Sequence, residues 1–255
     1  MQSQPPAAGE GTQPDTQAAQ PPPKTPFAYK VIIRLLTPPT VAIAKHTWLG
    51  RDNLPQSGGY IVAANHVSNL DFLPMVLMLS VAARPPKVLA KESLFRAPIV
   101  GRAMKAMGHV PVYRGTAKAA GALQNAQVAL DRGEVILIYP EGTITKDPDY
   151  WPMLGRPGAV RLALDTGAPL VPVAQWGPQR ILGRHRKLPH LWPRTQVTMQ
   201  IGPPLDLTDL SVRPDRGAAA KEGTIRLMAA ITELVAGLRG EAAPARPYDQ
   251  FQEGK

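Results

Sequence analysis

From Tyr60 to Leu238 the chain alternates short apolar runs with longer helical ones. That alternation limits the fold more than any other feature. Tyr60–Ala64, Lys87–Ala90, Val110–Tyr113, Leu170–Gln175 and Gln196–Ile201 read as strands. Val135–Tyr139 is apolar throughout, the pattern of a strand covered on both faces. Between them, helices are predicted near Asp71–Ala83, Ala97–Met107, Ala117–Arg132, Pro157–Thr166 and Gly217–Leu238, three of them stopped by Gly108, Gly133 and Gly167. The pattern implies an α/β fold, a mostly parallel or mixed central sheet flanked by helices. Ligands in such sheets bind beyond the carboxyl ends of the strands, so residues at those ends are the first candidates for a site.

A chain of 255 residues accommodates one large domain, and residues 51–240 are assigned to it. Residues 1–25 are mainly Gln, Pro, Ala, Gly and Thr, too poor in large apolar groups to offset the entropy of ordering, and are expected to be disordered. Residues 241–255 are expected to form a flexible tail for the same reason. Residues 26–50 are read as two short helices broken at Pro38-Pro39. Phe27, Val31 and Leu35 share a stripe beside Lys30 and Arg34, and Val41, Ala44 and Trp48 follow beside Lys45. No acidic residue lies between Phe27 and Arg51. An apolar face with a basic margin suits a helix lying on a membrane, and the same face can instead pack on the domain. No run reaches eighteen apolar residues and no signal-peptide pattern opens the chain, which favours a cytosolic or membrane-peripheral protein.

The net charge of +10 points to an anionic partner: nucleic acid, anionic lipid or a phosphorylated substrate. Arg84 to Lys118 holds eight basic residues and one acid, and Arg180 to Arg194 holds five and none. Aromatic residues are only 5% and no nucleic-acid module is visible, so nucleic acid is not expected. The absence of cysteine excludes disulfides, thiolate metal sites and cysteine nucleophiles, and the five histidines show no ligand spacing.

Three strand ends carry chemistry. In Asn65-His66-Val67-Ser68-Asn69-Leu70-Asp71, His66 can take a proton from a hydroxyl near neutral pH. If the turn curls back, the Asp71 carboxylate fixes the tautomer of His66 and stabilises the imidazolium. Ser68 has no GxSxG elbow around it and reads as a cap or turn residue. In Tyr139-Pro140-Glu141-Gly142-Thr143, glycine permits a tight turn whose amides can meet an oxyanion or phosphate. In Val110-Pro111-Val112-Tyr113-Arg114, Arg114 has the fork geometry that binds phosphate.

In this order the pieces resemble the glycerolipid acyltransferase family, whose best-known members are the 1-acylglycerol-3-phosphate acyltransferases. The first block is His66 and Asp71 in NHVSNLD; the second has Lys91 in AKESLF and Arg114 in VPVYRG. The third is Pro140-Glu141-Gly142-Thr143, and the fourth is Leu170-Val171-Pro172-Val173. The resemblance runs from about Tyr60 to Gln175, and the segment 26–50 looks like the family's two-helix membrane-docking motif. One departure stands out: the family usually has Arg after PEGT, and this chain has Ile144, then Thr145-Lys146. Either Lys146 supplies the cation, or Arg114 and Lys91 carry the phosphate, or the acceptor head group differs.

The resemblance implies acyl transfer to the hydroxyl of lysophosphatidate, or of glycerol 3-phosphate or another lysolipid, without an acyl-enzyme. His66 would be the general base and Asp71 its partner. Lys91, Arg114 and Lys146 would hold the acceptor phosphate, with Glu141, Gly142 and Thr143 shaping the pocket and backbone amides near the turns meeting the oxyanion. No metal or cofactor is expected; an acyl-CoA or acyl carrier protein thioester is the co-substrate. The partners implied are the lysophospholipid acceptor and an anionic membrane surface, and the location is the cytoplasmic face of the cell membrane. The rival of another class is a non-catalytic basic membrane-binding protein.

Overall fold

The computed structural model describes residues 24–113, 119–186 and 188–251. In chain order these residues form α1 (Phe27–Ile43), β1 (Ala44–Leu49), β2 (Tyr60–Ala64), α2 (Phe72–Ala82), β3 (Pro86–Lys91), α3 (Glu92–Arg96), α4 (Pro98–Ala106) and β4 (Val110–Val112). There follow α5 (Ala119–Asp131), β5 (Val135–Ile138), α6 (Gly158–Thr166), β6 (Leu170–Trp176), α7 (Pro178–Ile181), β7 (Thr195–Ile201), α8 (Thr208–Ser211) and α9 (Arg216–Arg239).

The described strands make one seven-stranded sheet in the order β1-β7-β6-β2-β5-β3-β4. The strands from β6 to β4 are mutually parallel. β7 runs antiparallel to β6, and β1 runs parallel to β7. The sheet is therefore mixed at one edge. Burial explains the arrangement. β5 (Val-Ile-Leu-Ile) and β2 are buried at every position, as central strands with helices on both faces must be. β7 alternates, with Thr195, Val197, Met199 and Ile201 buried and the intervening residues more open. Tyr60, Val62 and Ala64 enter a core shared with α1 and α2, while Ile61 and Ala63 enter one shared with α5, α6 and α9.

Two expectations are corrected. Residues 26–50 form one helix and one strand rather than two helices. Pro38 and Pro39 cannot donate to the Arg34 and Leu35 carbonyls, yet the helix continues through them. Flanking threonine hydroxyls take up neighbouring carbonyls, Thr37 donating to Ile33 O and Thr40 to Leu36 O, both at 2.7 Å. The following residues alternate, Ala44 buried and His46 and Trp48 partly so, and pair with β7 from Ala44↔Thr195 to Leu49↔Gln200. The sheet thus begins before the expected boundary at residue 51. The expected flexible tail is held, over its described part, against the third block. Leu154 N–H donates to Tyr248 O at 3.1 Å, and Gln250 Nε2 donates to Glu141 O and Leu154 O at 3.0 and 2.8 Å. Composition misses this because backbone and amide hydrogen bonds, which leave no compositional signal, tie the tail down.

Candidate active site

The carboxyl ends of β2, β3, β4, β5 and β6 share one edge of the sheet, and His66, Lys91, Tyr139 and Gln175 follow or end those strands. β2 delivers the first block. Asn65 clamps the ends of β2 and β6 together through three bonds with Gln175: Asn65 Nδ2 to Gln175 O, Gln175 N to Asn65 Oδ1, and Gln175 Nε2 to Asn65 O, at 2.8–3.0 Å. The next residue, His66, therefore leaves a fixed strand end.

His66 Nδ1 lies 2.8 Å from Asp71 Oδ2. The same oxygen accepts from the amides of Val67 and Ser68 at 2.6 and 2.8 Å. Asp71 is fully buried, and burial pushes its carboxyl up, opposed by the bonds from His66 and the two amides. With Nδ1–H donating to a carboxylate, the second ring nitrogen, Nε2, holds the lone pair. The His66 side chain is 22% exposed, so that nitrogen belongs to a ring that solvent reaches. The Tyr139 ring stacks on the imidazole at a centroid distance of 4.4 Å, which fixes the ring plane.

The third block braces the first. Glu141 is fully buried; Oε1 accepts from His66 N at 2.8 Å and Oε2 from Met153 N at 3.1 Å. Burial drives its carboxyl up to about 8, against the pull of those two amides, and the nearby Asp71 charge adds to the rise. Thr145 N in turn donates to His66 O at 2.7 Å. Gly142 has φ +74°, a left-handed conformation that favours glycine, and it lies against the Arg156 side chain.

The structure brings together His66, Asp71, Glu141 and Gly142. Glu141, expected to line an acceptor pocket, faces inward because both its oxygens are held by amides. Thr143 and Lys146 are exposed on the same loop, and Ile144 is half-buried between them. Lys91 is exposed at the end of β3, two strands from β2, or about 10 Å by strand spacing. Arg114 lies outside the described residues. Ser68 is buried and its hydroxyl donates to Leu182 O at 2.7 Å, as a turn residue rather than a nucleophile. The amides of His66, Val67, Ser68 and Gly142 are all engaged internally, which removes four of the backbone donors expected to meet an oxyanion.

Sequence reasoning missed Asn65, Gln175, Tyr139, Arg184 and Gln250. Arg184 Nη1 donates to Thr145 O at 2.6 Å and so brings a guanidinium to the third-block loop. Only the neighbouring positions of Asn65 and Tyr139 within the motifs signalled them; the other three come from distant segments. Among the described residues no three His, Asp or Glu side chains gather closely enough to hold a metal ion.

The site is thus an imidazole held by a buried carboxylate at one strand end and braced from a second. The Acyltransferase family profile matches residues 45–176, just over half of the chain, and the chain belongs to that family. A 1-acyl-sn-glycerol-3-phosphate acyltransferase of Borreliella burgdorferi is 32% identical over 125 residues, 49% of this chain and 48% of that protein. The chloroplastic 1-acyl-sn-glycerol-3-phosphate acyltransferase BAT2 of Brassica napus is 33% identical over 135 residues, 52% of this chain and 38% of that one. The matches thus span half or less of the length of these curated relatives. The crystal structure of the 1-acyl-sn-glycerophosphate acyltransferase PlsC from Thermotoga maritima has the same fold, with a TM-score of 0.62 and 23% identity over 85% of this chain and 81% of that one.

Proposed function

We propose that the protein moves a fatty acyl chain from an acyl thioester to the hydroxyl of lysophosphatidate, 1-acylglycerol 3-phosphate. The observation that carries this reading is the His66 Nδ1–Asp71 Oδ2 bond at the carboxyl edge of the sheet. His66 Nε2 takes the proton of the acceptor hydroxyl as its oxygen attacks the thioester carbonyl. The tetrahedral adduct collapses, the C–S bond breaks, and the imidazolium returns the proton to the departing thiolate. Asp71, which keeps three donors on one oxygen, holds the ring and offsets its charge throughout. General-base catalysis of this kind contributes roughly a hundred- to ten-thousand-fold. The donor is acyl-CoA or an acyl carrier protein thioester. Lys91, Arg114 and Lys146 would hold the acceptor phosphate, with Arg184 adding its charge beside the third-block loop.

The named relatives support the acyltransfer part of this reading. Among the described residues no helix is long and apolar enough to cross a membrane. A peripheral place on the cytoplasmic face of the membrane, through α1, fits a lipid acceptor. The half-buried Ile144 favours one second reading, a lysolipid or glycerol 3-phosphate acceptor whose head group needs no cation at that position.

Purified protein with oleoyl-CoA and a panel of lysophosphatidate, glycerol 3-phosphate and other lysolipids, read by mass spectrometry, tests both. Phosphatidate should accumulate with lysophosphatidate. Transfer to another acceptor alone would replace the lysophosphatidate reading, and no transfer to any acceptor would overturn the enzyme reading.

A further inference from the structure

At the opposite edge of the sheet, where β3 and β5 begin, α1 and the end of α2 enclose a cavity of about 550 Å³. Its lining carries Lys24, Lys30, Arg34, Arg84 and Lys87 against one acid, Glu134. That acid is already committed, with Glu134 Oε2 lying 3.8 Å from Lys87 Nζ. Arg84 is held in place: it donates to Gly133 O at 2.6 Å and its guanidinium sits 5.1 Å from the Tyr60 ring centroid. Its partners there are neutral, so its charge remains uncancelled. Among the described residues no carboxylate lies within ion-pair distance of Lys24, Lys30 or Arg34. The first turn of α1 bears no acid, so the partial positive charge of the helix start adds to the same sign.

The helix repeat sets what lies beside this cavity. At 3.6 residues per turn, Pro26, Tyr29 and Ile33 face the cavity, Lys30 and Arg34 stand at its rim, and Phe27, Val31 and Leu35 form the next stripe round. Phe27 is 81% exposed and Leu35 69% exposed. A cationic pocket bordered by a row of cations and then by an exposed apolar stripe matches one ligand class: a phosphate that carries acyl chains.

We propose that this cavity holds the phosphate head group of an anionic phospholipid, with Phe27, Val31 and Leu35 entering the acyl layer beside it. A soluble phosphate would use the cations but leave the stripe in water, which is why the lipid is favoured over the free anion. The lipid bound here is not the reacting one. The cavity lies at the amino ends of β3 and β5, whereas His66 follows the carboxyl end of β2, roughly 20 Å away along the strands. α1 joins the two edges: it starts at the cavity and ends beside Leu70 and Leu73, next to the His66 turn, about 25 Å further along. One helix lying on the bilayer surface thus anchors at one edge and sets the reactive edge at the membrane. The proposal rests on the peripheral-membrane reading of α1 and is independent of acyl transfer.

Flotation of the full chain with vesicles of phosphatidylcholine, with and without phosphatidylglycerol, tests it. The paired substitution Lys30→Gln, Arg34→Gln should weaken binding to the phosphatidylglycerol vesicles about thirty-fold, near five-fold for each charge at an anionic surface. The pair Phe27→Ser, Leu35→Ser should weaken binding to both kinds of vesicle. Inorganic phosphate and the deacylated head group, added as competitors, should displace the protein poorly. Parent-like binding by the Lys30/Arg34 variant overturns the head-group site while leaving membrane association standing. Strong displacement by inorganic phosphate, with no effect of the Phe27/Leu35 pair, overturns the lipid in favour of a free anion. No binding to any vesicle overturns both. His66→Ala should float as the parent does, so this result and the acyl-transfer result fail separately.

Discussion

The turn that carries His66 and the turn that carries Glu141 both leave buried parallel strands, yet they are built in opposite ways. The first is closed by its own residues: Asp71 reaches back over three to five positions to His66, Val67 and Ser68. The second is held from elsewhere. The Glu141 carboxylate binds amides 75 and 12 positions away, and its carbonyl accepts from Gln250, 109 positions away. A turn closed on itself sets the proton-transfer geometry, and a turn tied to distant segments decides where that geometry sits in the fold. The two meet at His66, whose N donates to Glu141 Oε1 and whose O accepts from Thr145 N.

The comparison breaks most readily at the self-closed turn. His66→Ala should lower kcat by about a hundred- to ten-thousand-fold with an unchanged circular dichroism spectrum. Asp71→Asn should come close to that loss, because an amide can hold the wrong tautomer and cannot balance an imidazolium. Near-parent turnover in either variant would remove proton transfer from this turn.

The next largest effect belongs to the remote brace. Glu141→Ala leaves the amides of His66 and Met153 buried without partners, which should cost about 1–3 kcal/mol for each. Thermal unfolding should show a drop of several degrees, with activity falling alongside. A parent-like melting temperature would show that the second turn stands without its carboxylate.

The same residue sharpens the comparison through pH. Burial lifts Glu141 from the ordinary 4.5 to about 8, so the folded state holds this proton more tightly than the unfolded chain. Its contribution to stability is complete below the unfolded value and is lost as pH rises through the folded one. The parent should therefore lose melting temperature between about pH 5 and pH 8 more steeply than Glu141→Gln, which has no proton to give up. Parallel curves would place an ionised carboxylate in that pocket at neutral pH. The smallest effect is at the outermost tie: Gln250→Ala should lower stability by about 1 kcal/mol, seen as a small shift in urea midpoint, with kcat nearly intact.

The same division of local from remote bonding decides what can be read from the chain alone. Tyr60–Ala64 matches its expected strand, and Val135–Ile138 lacks only the final Tyr139, because each is a buried run whose signal lies in its own residues. His66 and Asp71 are readable because a five-residue interval closes the turn. Glu141 is readable as a motif but not as a brace, since Met153 and Gln250 give no sign of meeting it. Ala44–Leu49 escapes detection as a strand because its partner among the described strands begins at Thr195. Pro38-Pro39 suggests a break, yet the helix runs on through both prolines. Arg184 and Gln175 arrive at the site from loops and strand ends that no periodicity connects to it.

The pairing of β1 with β7 also sets an order of events during synthesis. Among the described strands β1 is made first, and its partner emerges only with Thr195–Ile201, about 150 residues later. At ribosomal speeds of roughly 5–20 residues per second, the leading strand waits on the order of ten seconds with an open edge. Arg194, which ties α1 to the sheet through the carbonyls of Val41 and Ala44, emerges at the same late moment. A nascent chain stalled before residue 194 therefore has α1 packed on α2, with Tyr29 bonded to Pro86 O, but holds β1 without β7, so β7 pairs with a strand made about 150 residues earlier.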